Sequence, residues 1–178
     1  MEKEHVKLMV FPEFCITGYT CHDLFLQRCL LDSAWDELLH IAEETRETDA
    51  LIFVGLPLRH RGKLYNVAAA LNHGRIVGFV PKTHIPNYNE FYEQRQFAGA
   101  EEEDVEFVDF LKCEKNEEDE FWDEIPFGTE LIFECKEFPE FTVAAELCED
   151  LWSLRRQVSV MPSTVRISSL IFLPVMRW

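Results

Sequence analysis

Three residues of this chain carry side chains able to do chemistry and occupy comparable places in the sequence. Glu13 closes the apolar run Leu8-Met9-Val10-Phe11-Pro12, and Lys82 closes Ile76-Val77-Gly78-Phe79-Val80-Pro81. Cys148 follows the apolar run that starts at Phe141. A buried strand ending at a reactive residue can hold it rigidly and still present it to a cleft. A thiol is a nucleophile only once deprotonated, so Cys148 needs a base and a cation. Glu13, set among Val10, Phe11, Pro12 and Phe14, is expected to have its pKa raised by desolvation, which suits a general base near neutral pH. Lys82 supplies the cation, first for the thiolate and then for a tetrahedral oxyanion. It is also expected to offset Glu149 and Asp150, which push the thiol the other way. Glu90 is a second carboxylate close in sequence, able to fix the Lys82 ammonium. An acid, a lysine and a cysteine are the parts of an amide-cleaving site. Each also has a plainer reading: Cys148 as a small buried apolar side chain, Lys82 and Glu90 as exposed charges, Glu13 as a turn residue after Pro12.

The elements that must position these residues follow from periodicity. Val6–Phe11 and Ala50–Leu58 read as short buried strands. Residues 22–30 suit a short helix, and Asp32 or Ser33 can cap a longer one running to about Thr48, with Trp35, Leu38, Leu39 and Ala42 on one face. Tyr65–Leu71 and Arg75–Val80 form a hairpin around Asn72-His73-Gly74. Residues 130–135 and 139–147 read as further strands. One long helix among strands and hairpins predicts a layered α/β (α+β) domain.

Composition limits the partners. The chain has 178 residues, 47 % hydrophobic and 13 % aromatic, enough for one domain with a real core. A net charge of −16 argues against nucleic acid and against anionic membrane surfaces. The six cysteines form no CxxC pair and no histidine lies at zinc-ligand spacing, so no metal site is expected. The charged start and the lack of a long apolar run predict a cytoplasmic protein with reduced thiols. Acid is concentrated: residues 101–150 hold 20 of the 33 carboxylates and three lysines. Residues 151–178 then hold none, with Arg155, Arg156, Arg166 and Arg177 as their charges.

In order and local sequence, three motifs resemble the Glu-Lys-Cys signature of the nitrilase (carbon–nitrogen hydrolase) superfamily. They are Phe11-Pro12-Glu13-Phe14-Cys15-Ile16-Thr17-Gly18-Tyr19, Pro81-Lys82-Thr83-His84-Ile85-Pro86-Asn87-Tyr88 and Glu146-Leu147-Cys148-Glu149-Asp150-Leu151-Trp152. The extensions Gly18–Phe25, Asn87–Arg95 and Cys148–Trp152 narrow the resemblance to the glutaminase domains of glutamine-dependent NAD synthetases. The resemblance covers about residues 6–152. It implies a four-layer αββα sandwich with the general base at Glu13, the lysine at Lys82, the nucleophile at Cys148 and an additional glutamate at Glu90. It implies a glutamine pocket drawing on Tyr19, Tyr88, Phe91 and Glu149. No cofactor is implied for the glutaminase step; ATP and Mg2+ belong to a synthetase domain. L-glutamine, that synthetase domain and further copies in a homo-oligomer are the implied partners.

The resemblance also sets expectations about organisation. Residues 1–152 read as a partial domain, incomplete at both ends, with an acidic insertion at 100–126. Residues 153–178 read as an atypical tail, of the kind a frameshift or alternative splicing produces, and the synthetase domain is absent. Beside the glutaminase stand two other readings: an amidase of the same superfamily with another substrate, and a non-catalytic remnant or acidic interaction module.

Overall fold

The computed structural model of the chain describes residues 6–101, 106–109, 124–136 and 138–152. The tail 153–178 and most of the acidic stretch lie outside the described residues. Six strands form one mixed sheet in the order β1-β2-β3-β4-β6-β5: β1 (Leu8–Val10), β2 (Leu51–His60), β3 (Lys63–Asn72), β4 (Arg75–Pro81), β5 (Glu106–Asp109) and β6 (Glu124–Phe127). Strand β1 runs parallel to β2 and β4 parallel to β6, whereas β2, β3 and β4 form an antiparallel meander. Strands β7 (Phe133–Cys135) and β8 (Phe138–Val143) make a separate two-stranded sheet.

The period-two alternation of the long strands explains the layers. Ile52, Val54 and Leu56 of β2, with Val67, Ala69 and Leu71 of β3, face Leu38 and Ala42 of helix α1 (Arg28–Glu44). Their alternates Phe53, Ala68 and Ala70 face the opposite side, against Phe133 and Val143 of the small sheet and Ala145 and Leu147 of the segment that follows it. Strands covered on both faces must be apolar throughout, and β2 and β3 are almost wholly buried. Helix, large sheet and small sheet are thus three successive layers, in agreement with the expected α/β class, and the second helical layer of the expected four-layer sandwich is not among the described residues.

Several boundaries differ from the sequence reading. Helix α1 begins at Arg28, after the backbone of Gln27, with no side-chain cap, and buries Leu31, Ala34, Leu38 and Ala42. Asp32 and Ser33 lie exposed inside it, because burying Leu31 outweighs the better cap four residues on. The expected helix at 22–30 is instead a 3-10 helix over Tyr19–Leu26, broken at His22. The flanks of the expected acidic insertion contribute β5 and β6 to the large sheet, paired Glu106↔Phe127 to Asp109↔Glu124. Strand β8 ends at Val143, and residues 144–147 run on outside any strand to Cys148.

Two packing features carry the loops that matter. Phe14, Phe25 and Phe97 form an aromatic cluster, each pair of ring centres 4.9 to 5.0 Å apart, which joins the segments after β1, before α1 and after residue 93. Gly55 of β2 lies directly under the turn at Glu13: a Cβ placed there would meet Phe14 N at 2.6 Å, Pro12 O at 2.8 Å and Glu13 Cα at 2.9 Å. Because all three obstacles are backbone, Gly55→Ala must displace the Glu13 turn. We expect a loss of about 1–3 kcal/mol in urea unfolding from overpacking, together with a fall in any Glu13-dependent activity.

Candidate active site

Each of the three chemical residues sits where a strand or extended segment gives way to a turn. Glu13 lies in the turn after β1, where Cys15 N–H donates to Pro12 O at 3.0 Å and Phe14 adopts the left-handed φ of 53°. Lys82 directly follows β4, tied by its N–H to Asn66 O at 2.8 Å. Cys148 also takes a left-handed φ, 46°. It stands in a tight turn closed by Asp150 N–H donating to Leu147 O at 3.0 Å. Left-handed backbone on a residue with a Cβ costs about 1–3 kcal/mol and persists only where the surroundings impose it.

The structure brings Glu13 and Lys82 together. Lys82 Nζ donates to Glu13 Oε1 at 2.8 Å, and its side chain is fully buried. The second carboxylate on Lys82 is not the expected Glu90 but Glu93, whose Oε2 lies 2.9 Å from Nζ. Glu90 is exposed in the turn before it. The chain passes Asn89 at a left-handed φ of 51° and enters the 3-10 turn Glu93–Arg95, which carries Glu93 inward. Asn66 of β3 completes the group: its Nδ2 donates to Glu13 Oε1, and the side chain is wholly buried. Tyr19 donates its hydroxyl to Glu93 Oε1, which places this pocket candidate against the ion-paired group. Of the remaining pocket candidates, Tyr88 donates to Glu149 Oε2 at 2.9 Å and packs edge-on against Phe91 with ring centres 5.6 Å apart.

Electrostatics order these groups. Burial raises the Glu13 carboxyl above its ordinary value, and Glu93 adds to this, against the lowering pull of Lys82. Burial alone would draw Lys82 down, but the two carboxylates outweigh it and hold the ammonium above its ordinary value. Burial also pushes Cys148 up, to about 11, with Glu13, Glu93 and Glu149 adding and Lys82 opposing. Lys82 acts on the thiol more strongly than Glu149, as expected of it, but burial, with Glu13 and Glu93 beside it, outweighs the single ammonium. The resting sulfur is a thiol, and its proton must go to a base as it attacks. Cys148 senses the charges of Glu13, Lys82, Glu93 and Glu149, so it lies near all four.

Asn66, Glu93 and Asp150 were not among the sequence candidates. Asn66 is a polar residue in the wholly buried middle of a strand, directly before the apolar run Val67–Leu71, the one signal that could have marked it. Among the described residues no group of histidines, cysteines and acids is arranged to hold a metal ion, and no helix is long and apolar enough to cross a membrane.

The chain is similar to known proteins in sequence and in fold. The sequence pattern of the family described as Carbon-nitrogen hydrolase matches residues 1–154. The glutamine-dependent NAD(+) synthetase of Mycobacterium tuberculosis is 37 % identical over 146 residues, 82 % of this chain and 20 % of that protein. That of Aquifex aeolicus is 38 % identical over 104 residues, 57 % of this chain and 17 % of that protein. The chain thus spans about a fifth of the length of the curated relatives it matches. The crystal structure of a glutamine-dependent NAD(+) synthetase from Cytophaga hutchinsonii matches with a TM-score of 0.70 at 28 % identity, over 83 % of this chain and 23 % of that one. A carbon-nitrogen hydrolase from Helicobacter pylori, at 20 % identity and a TM-score of 0.51, shares the fold over 85 % of this chain and 43 % of its own. The chain belongs to the carbon-nitrogen hydrolase family.

Proposed function

We propose that this chain carries a glutamine amidohydrolase site that works through a cysteine thioester and supplies ammonia to an ATP-dependent amidation of deamido-NAD. The observation that carries the reading is the buried Glu13–Lys82–Glu93 ion-paired group, whose charges reach the Cys148 thiol. Glu13 accepts the Cys148 proton as the sulfur bonds to the side-chain amide carbon of glutamine. The resulting oxyanion meets the Lys82 ammonium and the backbone N–H of Glu149. The C–N bond then breaks, Glu13 returns the proton and ammonia leaves. Water, giving a proton to Glu13, attacks the thioester; the C–S bond breaks, glutamate departs and the thiol is restored. Glu93 and Tyr19 keep the Lys82 ammonium in place, and Glu149, held by Tyr88, faces the ammonium of the free amino acid.

No cofactor takes part in these steps; ATP and Mg2+ belong to the amidation, on a synthetase domain that is the proposed partner. The names of the relatives support glutamine as substrate. A homo-oligomer and a cytoplasmic setting complete the proposal.

The test is ammonia release from glutamine against a panel of simple aliphatic amides. Glutamine should be preferred, and preference for an aliphatic amide would favour an amidase of the same family with another substrate. Glu13→Gln should lower kcat/KM by roughly 10²–10⁴-fold. The active form is the Glu13 carboxylate, so activity should fall as pH drops through its pKa. Burial places that acid limb above the ordinary value of 4.5. Lys82, held above its ordinary value, stays charged through the neutral range, so no alkaline loss is expected there. An acid limb at or below 4.5 would remove Glu13 from the role of base.

A further inference from the structure

Asp150 is fully buried, yet it lies two residues past the nucleophile and takes no part in the chemistry above. Its carboxylate gathers three donors from one short segment. Thr83 N–H approaches Oδ1 and Oδ2 at 3.1 and 3.2 Å, His84 N–H donates to Oδ1 at 2.7 Å, and His84 Nδ1 lies 3.0 Å from Oδ1. Thr83 and His84 are the two residues that follow Lys82. At the same time the Asp150 backbone N–H closes the turn that holds Cys148 at its left-handed φ. One residue therefore grips the lysine loop with its side chain and the cysteine turn with its main chain. The two segments are 66 residues apart in sequence at the His84–Asp150 bond.

We propose that Asp150 is a positioning residue that sets the Lys82 ammonium against the Cys148 sulfur by holding the lysine loop and the cysteine turn as one unit. The proposal rests on the reading of Lys82 as the cation and Cys148 as the nucleophile. A carboxylate taken wholly out of water needs its lone pairs filled, and here backbone amides fill them. Their positions are fixed by the main chain, so the carboxylate cannot drift without breaking several bonds together. Lys82 itself is held at its N–H by Asn66 O and at its carbonyl by Ala100 N–H, 3.0 Å away. Asp150 adds the bond that refers this rigid segment to the thiol, where an error of about 1 Å is enough to cost much of the rate.

The test reads the thiol and not the reaction, so it succeeds or fails independently of glutamine hydrolysis. In the 178-residue chain, iodoacetamide alkylation of the Cys148 peptide is followed by mass spectrometry across alkaline pH, with exposed Cys29 as internal reference. Asp150→Leu keeps much of the volume but takes away the oxygen that the Thr83 and His84 N–H groups use as acceptor. If Asp150 positions Lys82, the variant weakens the pull of Lys82 that lowers the Cys148 pKa, the profile moves to higher pH, and alkylation at a fixed pH slows by about tenfold. If Asp150 merely stabilises the fold, loosening exposes the half-buried thiol and alkylation speeds up. A Cys148 rate that is unchanged or faster, relative to Cys29, overturns the proposal. Should Asp150→Leu fail to fold, His84→Ala carries the test, because it removes one donor and leaves the backbone bonds. It should slow Cys148 by roughly two- to threefold, and an unchanged rate there overturns the proposal equally.

Discussion

Cys148→Ala should abolish amide hydrolysis, by about 10⁴-fold or more, while leaving the unfolding temperature within a few degrees of the parent. The first half follows from the role of the sulfur: without it no thioester forms, and the ion-paired carboxylates and lysine have nothing to activate. The second half follows from the backbone. Cys148 already adopts φ 46°, and alanine carries the same Cβ, so the strain of the turn is unchanged. The turn itself is closed by the backbone of Leu147 and Asp150, which the substitution does not touch. What remains is the loss of one half-buried sulfur, about 1 kcal/mol. Ammonia release and a thermal unfolding curve on the same preparation check both halves. Turnover retained in the variant would mean that another group is the nucleophile.

Lys82→Met should be the most damaging single change to stability in the site, at about 3–5 kcal/mol near neutral pH, with activity lost as well. Methionine fills much of the same space, so packing is not the main cause. The ammonium is fully buried and bonds to Glu13 and Glu93; without it two buried carboxylates face each other, with Tyr19 donating to Glu93 and Asn66 to Glu13. The pH dependence separates this from a packing defect. Glu13 is already raised by burial, and Lys82 is its largest lowering influence, so removing the lysine raises it further. A carboxyl whose folded pKa lies above its unfolded value favours folding most below the unfolded pKa, and that contribution disappears as pH rises through the folded pKa. Urea unfolding should therefore show a smaller penalty at about pH 5 than at about pH 8. An equal penalty at both would mean that lost packing, not exposed charge, is the cause.

Much of the site was legible because strand ends are legible. Glu13 and Lys82 terminate apolar runs, and a run that stops at a charge marks the place where the sheet meets a cleft. The choice between Glu90 and Glu93 was not legible. Both lie in one polar, aromatic stretch without periodicity, and a left-handed residue at Asn89 followed by a 3-10 turn decided which one faces Lys82. Strand β6 was hidden for a related reason. Glu124-Ile125-Pro126-Phe127 sits in the most acidic part of the chain and contains a proline, yet it pairs with β5 and, at Phe127, with Phe79. Asp150 read as one more acid in an acidic context, since its partners are backbone amides that no residue pattern reveals.

The sequence alone determined the residue types, their order and the two-sided apolar strands, and hence a layered α/β domain with an acid, a lysine and a thiol at its edges. Those features are local: they depend on side-chain alternation and on which residues interrupt a strand. The tertiary structure alone decided which carboxylates meet the lysine, that Gly55 makes room for the Glu13 turn, and that the Cys148 thiol is protonated at rest. These depend on burial and on distances between segments far apart in the chain. An ammonium loses its water only when the sheet, the turn after β1 and the segment carrying Glu93 close on it together, so its partners are a property of the packed molecule.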